Sequence, residues 1–251
     1  MDYVIGFVIA VVIAVTGVGA GVITAPLLIL FLHVPLEIAV STALAYSAVV
    51  KLIVVPAQVM RKQVNYRVLG YMLLGGLPGV IFGSIMFKHV AAHGPREVLM
   101  FALGAIILFT SGWHIYRSIK PMGVTRPVRD RSKLIGLTMF PIGAEVGFSS
   151  SGAGALGTVT LLGMTNLEAP QVVGTDLAFG LVIALVGTGV HMFGGHYAGD
   201  ILLKMVIGGV VGGVVGTGLS SKIPGKILRI VLSIWLMVIG VQFCWQAFKL
   251  K

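Results

Sequence analysis

Charge is what this chain of 251 residues has least of. Asp, Glu, Lys and Arg make up 10% of it, against about 25% in a soluble domain, too little to coat a soluble surface. Acidic side chains are the scarcer kind, 8 against 18 basic ones, for a net charge of +10. The bases sit in short gaps between apolar runs, as topology signals do. No basic face or aromatic-interleaved patch lies outside those runs, which argues against nucleic-acid binding. A single cysteine, Cys244, leaves no disulfide framework, thiolate cluster or paired redox motif, and no second thiol for a carrier that hands its substrate between cysteines. The six histidines show no metal-ligand spacing. No metal or other cofactor is expected.

Catalytic signatures are equally thin. Gly152-Ala-Gly-Ala-Leu-Gly157 matches the dinucleotide pattern by letter, but that fingerprint requires a preceding strand in a soluble βαβ unit. Ser149, Ser150 and Ser151 have Glu145 nearby but no positioned histidine, so a hydrolytic triad is not built and no enzyme is expected. The N-terminus lacks the positive stretch and small-residue cleavage site of a signal peptide. The first apolar run is therefore expected to stay in the mature protein.

What the chain does contain is apolar length. Hydrophobic residues make up 57% of it and the mean hydropathy is +1.03. Eight apolar segments can be read, roughly 3–33, 36–60, 66–87, 97–116, 134–163, 169–193, 201–219 and 227–248, and about 20 such residues span a bilayer core. Between the fourth and fifth lies a stretch with Lys120, Arg126, Arg129, Arg131, Pro121 and Pro127, which reads as a solvated linker. It divides a first membrane repeat, 1–120, from a basic cytoplasmic linker, 121–132, and a second membrane repeat, 133–251.

The two halves match at a constant offset of 133 residues. Gly19, Ala20 and Gly21 fall on Gly152, Ala153 and Gly154; Thr42 and Leu44 on Thr175 and Leu177; Gly75, Gly76, Gly79 and Gly83 on Gly208, Gly209, Gly212 and Gly216. The expected fold is an all-α polytopic membrane protein of two homologous helical repeats. Duplicated halves are the build of many secondary transporters, whose sites lie near the midplane on helices interrupted by Gly or Pro.

The first segment of each half would be about 46 Å long as one helix, too long for a core of about 30 Å. Each is broken in its middle, at Gly17-Val-Gly-Ala-Gly21 and at Ser149-Ser-Ser-Gly-Ala-Gly154. If the broken segments still cross, there are eight crossings. If each is a re-entrant hairpin, each half crosses three times and the repeats are inverted. In both schemes twelve bases face the cytoplasm and five face out, so the positive-inside rule places loop 61–67 and linker 117–133 in the cytoplasm without choosing between them. Segment length favours the hairpins.

Two readings stand for the glycine clusters: close helix packing, or half-helices whose free N–H groups and dipoles face an anion near the midplane. On the second, Gly19, Ala20, Gly21, Gly152, Ala153 and Gly154 would bind the substrate, with hydroxyls from Thr24, Ser149, Ser150, Ser151 and Thr158. The spaced glycines Gly75–Gly79–Gly83 and Gly208–Gly212–Gly216 read as packing faces. Ionisable residues inside spans are functional candidates by default. Lys51 could hold an anion, with Thr42 and Thr175 beside it, or pair with a buried acid, or snorkel toward the interface. Glu145, Asp176 and His191 are the candidate proton carriers, though His191 and His196, which repeat the positions of Gln58 and Gln63, fit a polar rim better.

The run Gly17-Val-Gly-Ala-Gly-Val-Ile-Thr-Ala-Pro-Leu-Leu28, followed by Ala39-Val-Ser-Thr42 and repeated as Val173-Gly-Thr175, resembles the sulfite exporter TauE/SafE family of membrane permeases over nearly the whole chain. Family members typically carry a denser glycine run, and the second copy has Val159-Thr160 where the first has Pro26-Leu27. The resemblance implies a multi-pass permease or exporter of the cell inner membrane for sulfur-containing anions such as sulfite or sulfoacetate. The expected mechanism is a small anion bound between the repeats and moved by alternating access. An anion channel, or a transporter of an unrelated small organic acid, is the alternative. Expected partners are the anionic substrate and the lipid bilayer, with a homodimer left open.

Overall fold

The computed structural model describes residues 2–16, 20–119, 131–150, 153–192, 198–219 and 225–249. The described residues are helical throughout apart from short connections. In chain order the helices are α1 (Asp2–Thr16), α2 (Ala20–Phe31), α3 (Leu36–Met60), α4 (Tyr66–His93), α5 (Arg96–Ile119), α6 (Ile135–Ser149), α7 (Ala153–Met164), α8 (Ala169–Met192), α9 (Gly199–Leu219) and α10 (Gly225–Lys249), with a 3-10 turn at Ser132–Leu134 before α6. Helices α3, α4, α8 and α9 are each long and apolar enough to cross a membrane. The chain is a multi-pass membrane protein.

Each overlong segment of the sequence becomes two short helices. At 15 and 12 residues they reach only about 22 and 18 Å, short of a full crossing. In the second half the course of the chain is plain. The Arg131 N–H donates to the Met164 carbonyl over 2.9 Å, and Met164 Sδ lies 3.9 Å from Thr138 Oγ1. The end of α7 thus comes back beside the start of α6.

The partners of the spaced glycines follow the 133-residue offset. On α4, a Cβ at Gly75, Gly79 or Gly83 would fall on the backbone of Gly136, Phe140 or Ala144 of α6; on α9, one at Gly208, Gly212 or Gly216 would fall on that of Tyr3, Phe7 or Val11 of α1. Both members of each contact shift by 133. Only glycine lets the backbones come so near, which is the usual way transmembrane helices associate without a hydrophobic driving force between them. Away from these contacts α4 and α9 carry exposed Ile81, Ile85, Val210 and Val214, apolar rows suited to lipid.

Directions follow from the same pairs. Helix α4 runs parallel to α6, and α1 parallel to α9. Corresponding helices of the two halves run antiparallel: Phe101 meets Phe248 and Gly104 meets Cys244 between α5 and α10, while Ser41 meets His191 and Lys51 meets Gly180 between α3 and α8. Helices α3 and α8 form the buried centre, and α4, α6, α7 and α9 pack around them.

Candidate functional site

The α3/α8 seam is lined by small and apolar residues such as Leu44, Ala48, Ile183 and Gly187, so each polar group there has been taken out of both water and lipid. Burial of this kind is costly unless partners are supplied. Two polar clusters occupy the seam.

The first is built on Lys51 and Asp176, each only 4% exposed. Lys51 reaches across from α3 and its Nζ donates to the Gly180 carbonyl of α8 over 3.2 Å. Gly180 suits this position because a Cβ there would fall 2.7 Å from that Nζ. Asp176 lies one turn earlier on α8. It and Lys51 are of opposite charge but not within ion-pair distance; among the described residues the ion pair is Lys204–Asp200, on the exposed side of α9.

Helix α7 completes the cluster. Asp176 Oδ2 accepts from the Thr158 hydroxyl over 2.8 Å, and the same hydroxyl lies 2.9 Å from the Gly154 carbonyl. Asp176 Oδ1 is buried with no hydrogen-bond partner. It rests against Gly157, whose missing Cβ is what makes room for it. The arrangement therefore holds an ammonium with one of its three N–H groups used, and a carboxylate with one oxygen used.

The second cluster sits farther along α8. Gly180 and His191 are separated by about 16 Å of helix rise. The Nε2 of His191 is 3.0 Å from the Gly147 carbonyl; a carbonyl only accepts, so Nε2 carries the proton. Nδ1 is 3.0 Å from the Ser41 hydroxyl, which also lies 3.0 Å from the Glu37 carbonyl. Ser84 donates to the Gly147 carbonyl over 3.3 Å, the Phe87 ring lies 5.4 Å from the imidazole, and the Lys88 ammonium donates to the Val190 carbonyl. This cluster ties the end of α6 to α3, α4 and α8.

The residues singled out from sequence thus part company. Lys51, Asp176, Thr158 and Gly154 come together, and His191 belongs to the other cluster. Gly19, Ser151 and Gly152 lie outside the described residues. Ala20 and Gly21 open α2, and Ala153 opens α7. Ser150 ends α6 in a left-handed conformation, φ 59°, its N–H donating to the Val146 carbonyl over 2.8 Å. Glu145 lies one turn before that end, half-buried, with its carbonyl accepting from Ser149. Thr24 is fully buried in α2.

Thr42 and Thr175 are engaged with backbone. The Ala198 N–H donates to Thr42 Oγ1 over 3.2 Å and the Asn65 N–H to Thr175 Oγ1 over 3.0 Å. These two bonds are related by the 133-residue offset at both ends. Each joins a helix of one half to the turn between helices of the other, and Asn65 also caps α4 through Val68 N–H.

Ser41, Ser84 and Lys88 were not anticipated. Ser41 stood inside the Ala39-Val-Ser-Thr42 motif beside the threonine that drew attention. Lys88 followed the apparent end of an apolar run at 87, whereas α4 continues to His93. Among the described residues, no group of three or more His, Cys, Asp or Glu side chains could hold a metal ion.

Comparison with known proteins gives two findings. A family model described as "Sulfite exporter TauE/SafE" matches residues 3–243. The chain is also similar to the "Probable membrane transporter protein YjnA" of Bacillus subtilis (strain 168), 27% identical over 186 residues that cover 71% of this chain and 73% of that protein. No solved structure matches.

Proposed function

Since the chain belongs to the sulfite exporter TauE/SafE family, a family of membrane transporters, we propose that it is a secondary transporter for a small anion, a sulfur oxyanion or sulfonate, bound at the α3/α8 seam and moved by alternating access. The observation that carries this reading is Lys51: a cation 4% exposed, with, among the described residues, one hydrogen bond and no carboxylate at ion-pair distance. A buried ammonium with donors to spare suits an anion, and charge-assisted bonds are about twice as strong as neutral ones. The first turns of α2 and α7 add N–H groups of the right sign.

The antiparallel run of corresponding helices supports an inverted arrangement, with α1/α2 and α6/α7 as hairpins entering from opposite faces and three crossings per half. On this arrangement Arg61, Lys62, Arg67, the linker bases, Lys222, Lys226 and Arg229 lie on the cytoplasmic side of the inner membrane. Rocking of one half on the other about the α3/α8 seam would then expose Lys51 to each side in turn.

Uptake by proteoliposomes tests the reading. Sulfite, sulfate, thiosulfate, methanesulfonate and sulfoacetate are offered in turn, with protein-free liposomes as the blank. Saturable uptake of at least one, lost in a folded Lys51→Ala protein, is the expected result. Uptake of none, or unchanged uptake by the variant, removes Lys51-based anion transport.

A further inference from the structure

Neither Lys51 nor Asp176 is repeated in the other half. The residue 133 positions after Lys51 is Ala184, and the one 133 positions before Asp176 is Ala43. The scaffold is duplicated around them while the charges are not, and both charges fall on the seam where α3 meets α8. As a pair they leave the buried site neutral. An anion arriving at Lys51 would leave it with one surplus negative charge in a region screened from water, where an uncompensated charge is strongly disfavoured. Neutrality returns if Asp176 takes one proton.

The hydrogen bonds around Asp176 accommodate that proton without moving a heavy atom. Thr158 has one hydroxyl hydrogen and two acceptors within reach, Asp176 Oδ2 at 2.8 Å and the Gly154 carbonyl at 2.9 Å. With Asp176 ionised, Thr158 donates to it. With Oδ2 protonated, Asp176 donates to the Thr158 oxygen, and Thr158 donates to Gly154. Oδ1 has no partner in either state, so the proton rests on Oδ2, where Thr158 can receive it. Of the helices packed on α8, α3 supplies Lys51 as the charged group acting on Asp176, and α7 supplies Thr158 and Gly157. Helices α4 and α6 place no charged group in its reach among the described residues.

We propose that Asp176 carries one proton for every monovalent anion bound at Lys51, so that anion and proton cross together and the cycle moves no net charge. The proposal rests on the transport reading above and names its coupling ion. The proton is taken from water on the side where the anion enters and returned to water where it leaves. The site alternates between Asp176 carboxylate with Lys51, and Asp176 acid with Lys51 and the anion. Both states are neutral.

The experiment uses the whole chain in proteoliposomes, with whichever anion of the panel the wild type moves and with the membrane potential clamped by potassium and valinomycin. An imposed pH gradient should drive wild-type accumulation of a monovalent anion up to about tenfold per pH unit, the equivalent of that unit in free energy. A trapped pH dye should count one proton per anion. Asp176→Asn stands for the permanently protonated acid, so it should still exchange anion for anion, at its own rate, while losing gradient-driven accumulation. Asp176→Glu should restore accumulation.

Wild-type uptake without proton movement, or gradient-driven accumulation by Asp176→Asn, overturns the proposal and leaves the transport reading intact. A folded Asp176→Asn that performs no exchange also overturns it. If that variant does not fold, the wild-type ratio decides, one proton per anion supporting the proposal and none refuting it. No uptake of any anion by the wild type overturns the transport reading and the coupling with it.

Discussion

Replacing Lys51 and Asp176 by alanine, singly and together, tests whether the two charges stabilise each other across the seam. Lys51 binds the carbonyl one turn beyond Asp176, so a charge separation near the rise of a turn, about 5.4 Å, is appropriate. With an effective dielectric of about 20, Coulomb's law then gives an attraction of about 3 kcal/mol. The figure is a ceiling, because a stranded buried charge can also neutralise by gaining or losing a proton. Either single substitution should therefore cost up to ~3 kcal/mol beyond the lost packing. The double variant has the alanines that the other half already carries at Ala43 and Ala184, and it removes both charges at once. It should be less destabilised than the sum of the singles by about that same ~3 kcal/mol. Reversible unfolding in mixed micelles measures the cycle, and size-exclusion profiles establish that each variant is folded beforehand. Additivity within about 0.5 kcal/mol, the behaviour of independent sites, would refute the pairing. The double variant should also be inactive in transport despite its recovered stability, separating the structural role of the pair from its role with substrate.

The remaining predictions concern the scaffold. Gly79→Ala and Gly212→Ala, whose Cβ atoms would strike the backbones of Phe140 and Phe7, should each cost about 1–3 kcal/mol and by similar amounts. Gly70→Ala, with nothing within 4 Å, should be neutral or gain up to ~1 kcal/mol of helix propensity; thermal melts of the three variants check the order. Thr42→Val and Thr175→Val should each cost roughly 1–2 kcal/mol by stranding the N–H of Ala198 or Asn65, and serine at either position should recover most of it in the same melts. In a Cys244→Ala background, Asn166→Cys in the turn between α7 and α8 should react with an impermeant maleimide from the cytoplasmic face and His33→Cys from the opposite face. Reaction of both from the same side would refute the hairpin topology.

Membership of the membrane class was legible in composition, and the duplication in a constant offset of 133 residues, because both are properties of the chain read in one dimension. The breaks were legible too: a segment of about 46 Å cannot lie straight in a core of about 30 Å, and glycine marks where it yields. Lys51 and Asp176 stood out because charge inside an apolar run is expensive wherever the run is placed.

What sequence could not supply was who meets whom. Lys51 bonds Gly180 across 129 residues and Ser41 meets His191 across 150, and no periodicity within a helix encodes such a partner. The charge count was blind to the direction of the repeats, since both schemes give twelve bases against five. Packing sets α3 against α8 and α5 against α10 head to tail, and the proposed inverted arrangement rests on that. Thr42 and Thr175 show the same division. Their offset was visible in the sequence, but only the tertiary fold shows that each hydroxyl oxygen accepts a backbone N–H from the turn of the opposite half. The one-dimensional sequence determined the lipid-compatible units and their repetition. The tertiary structure chose the seam, because a buried charge takes its partner from the neighbour that packing brings within reach.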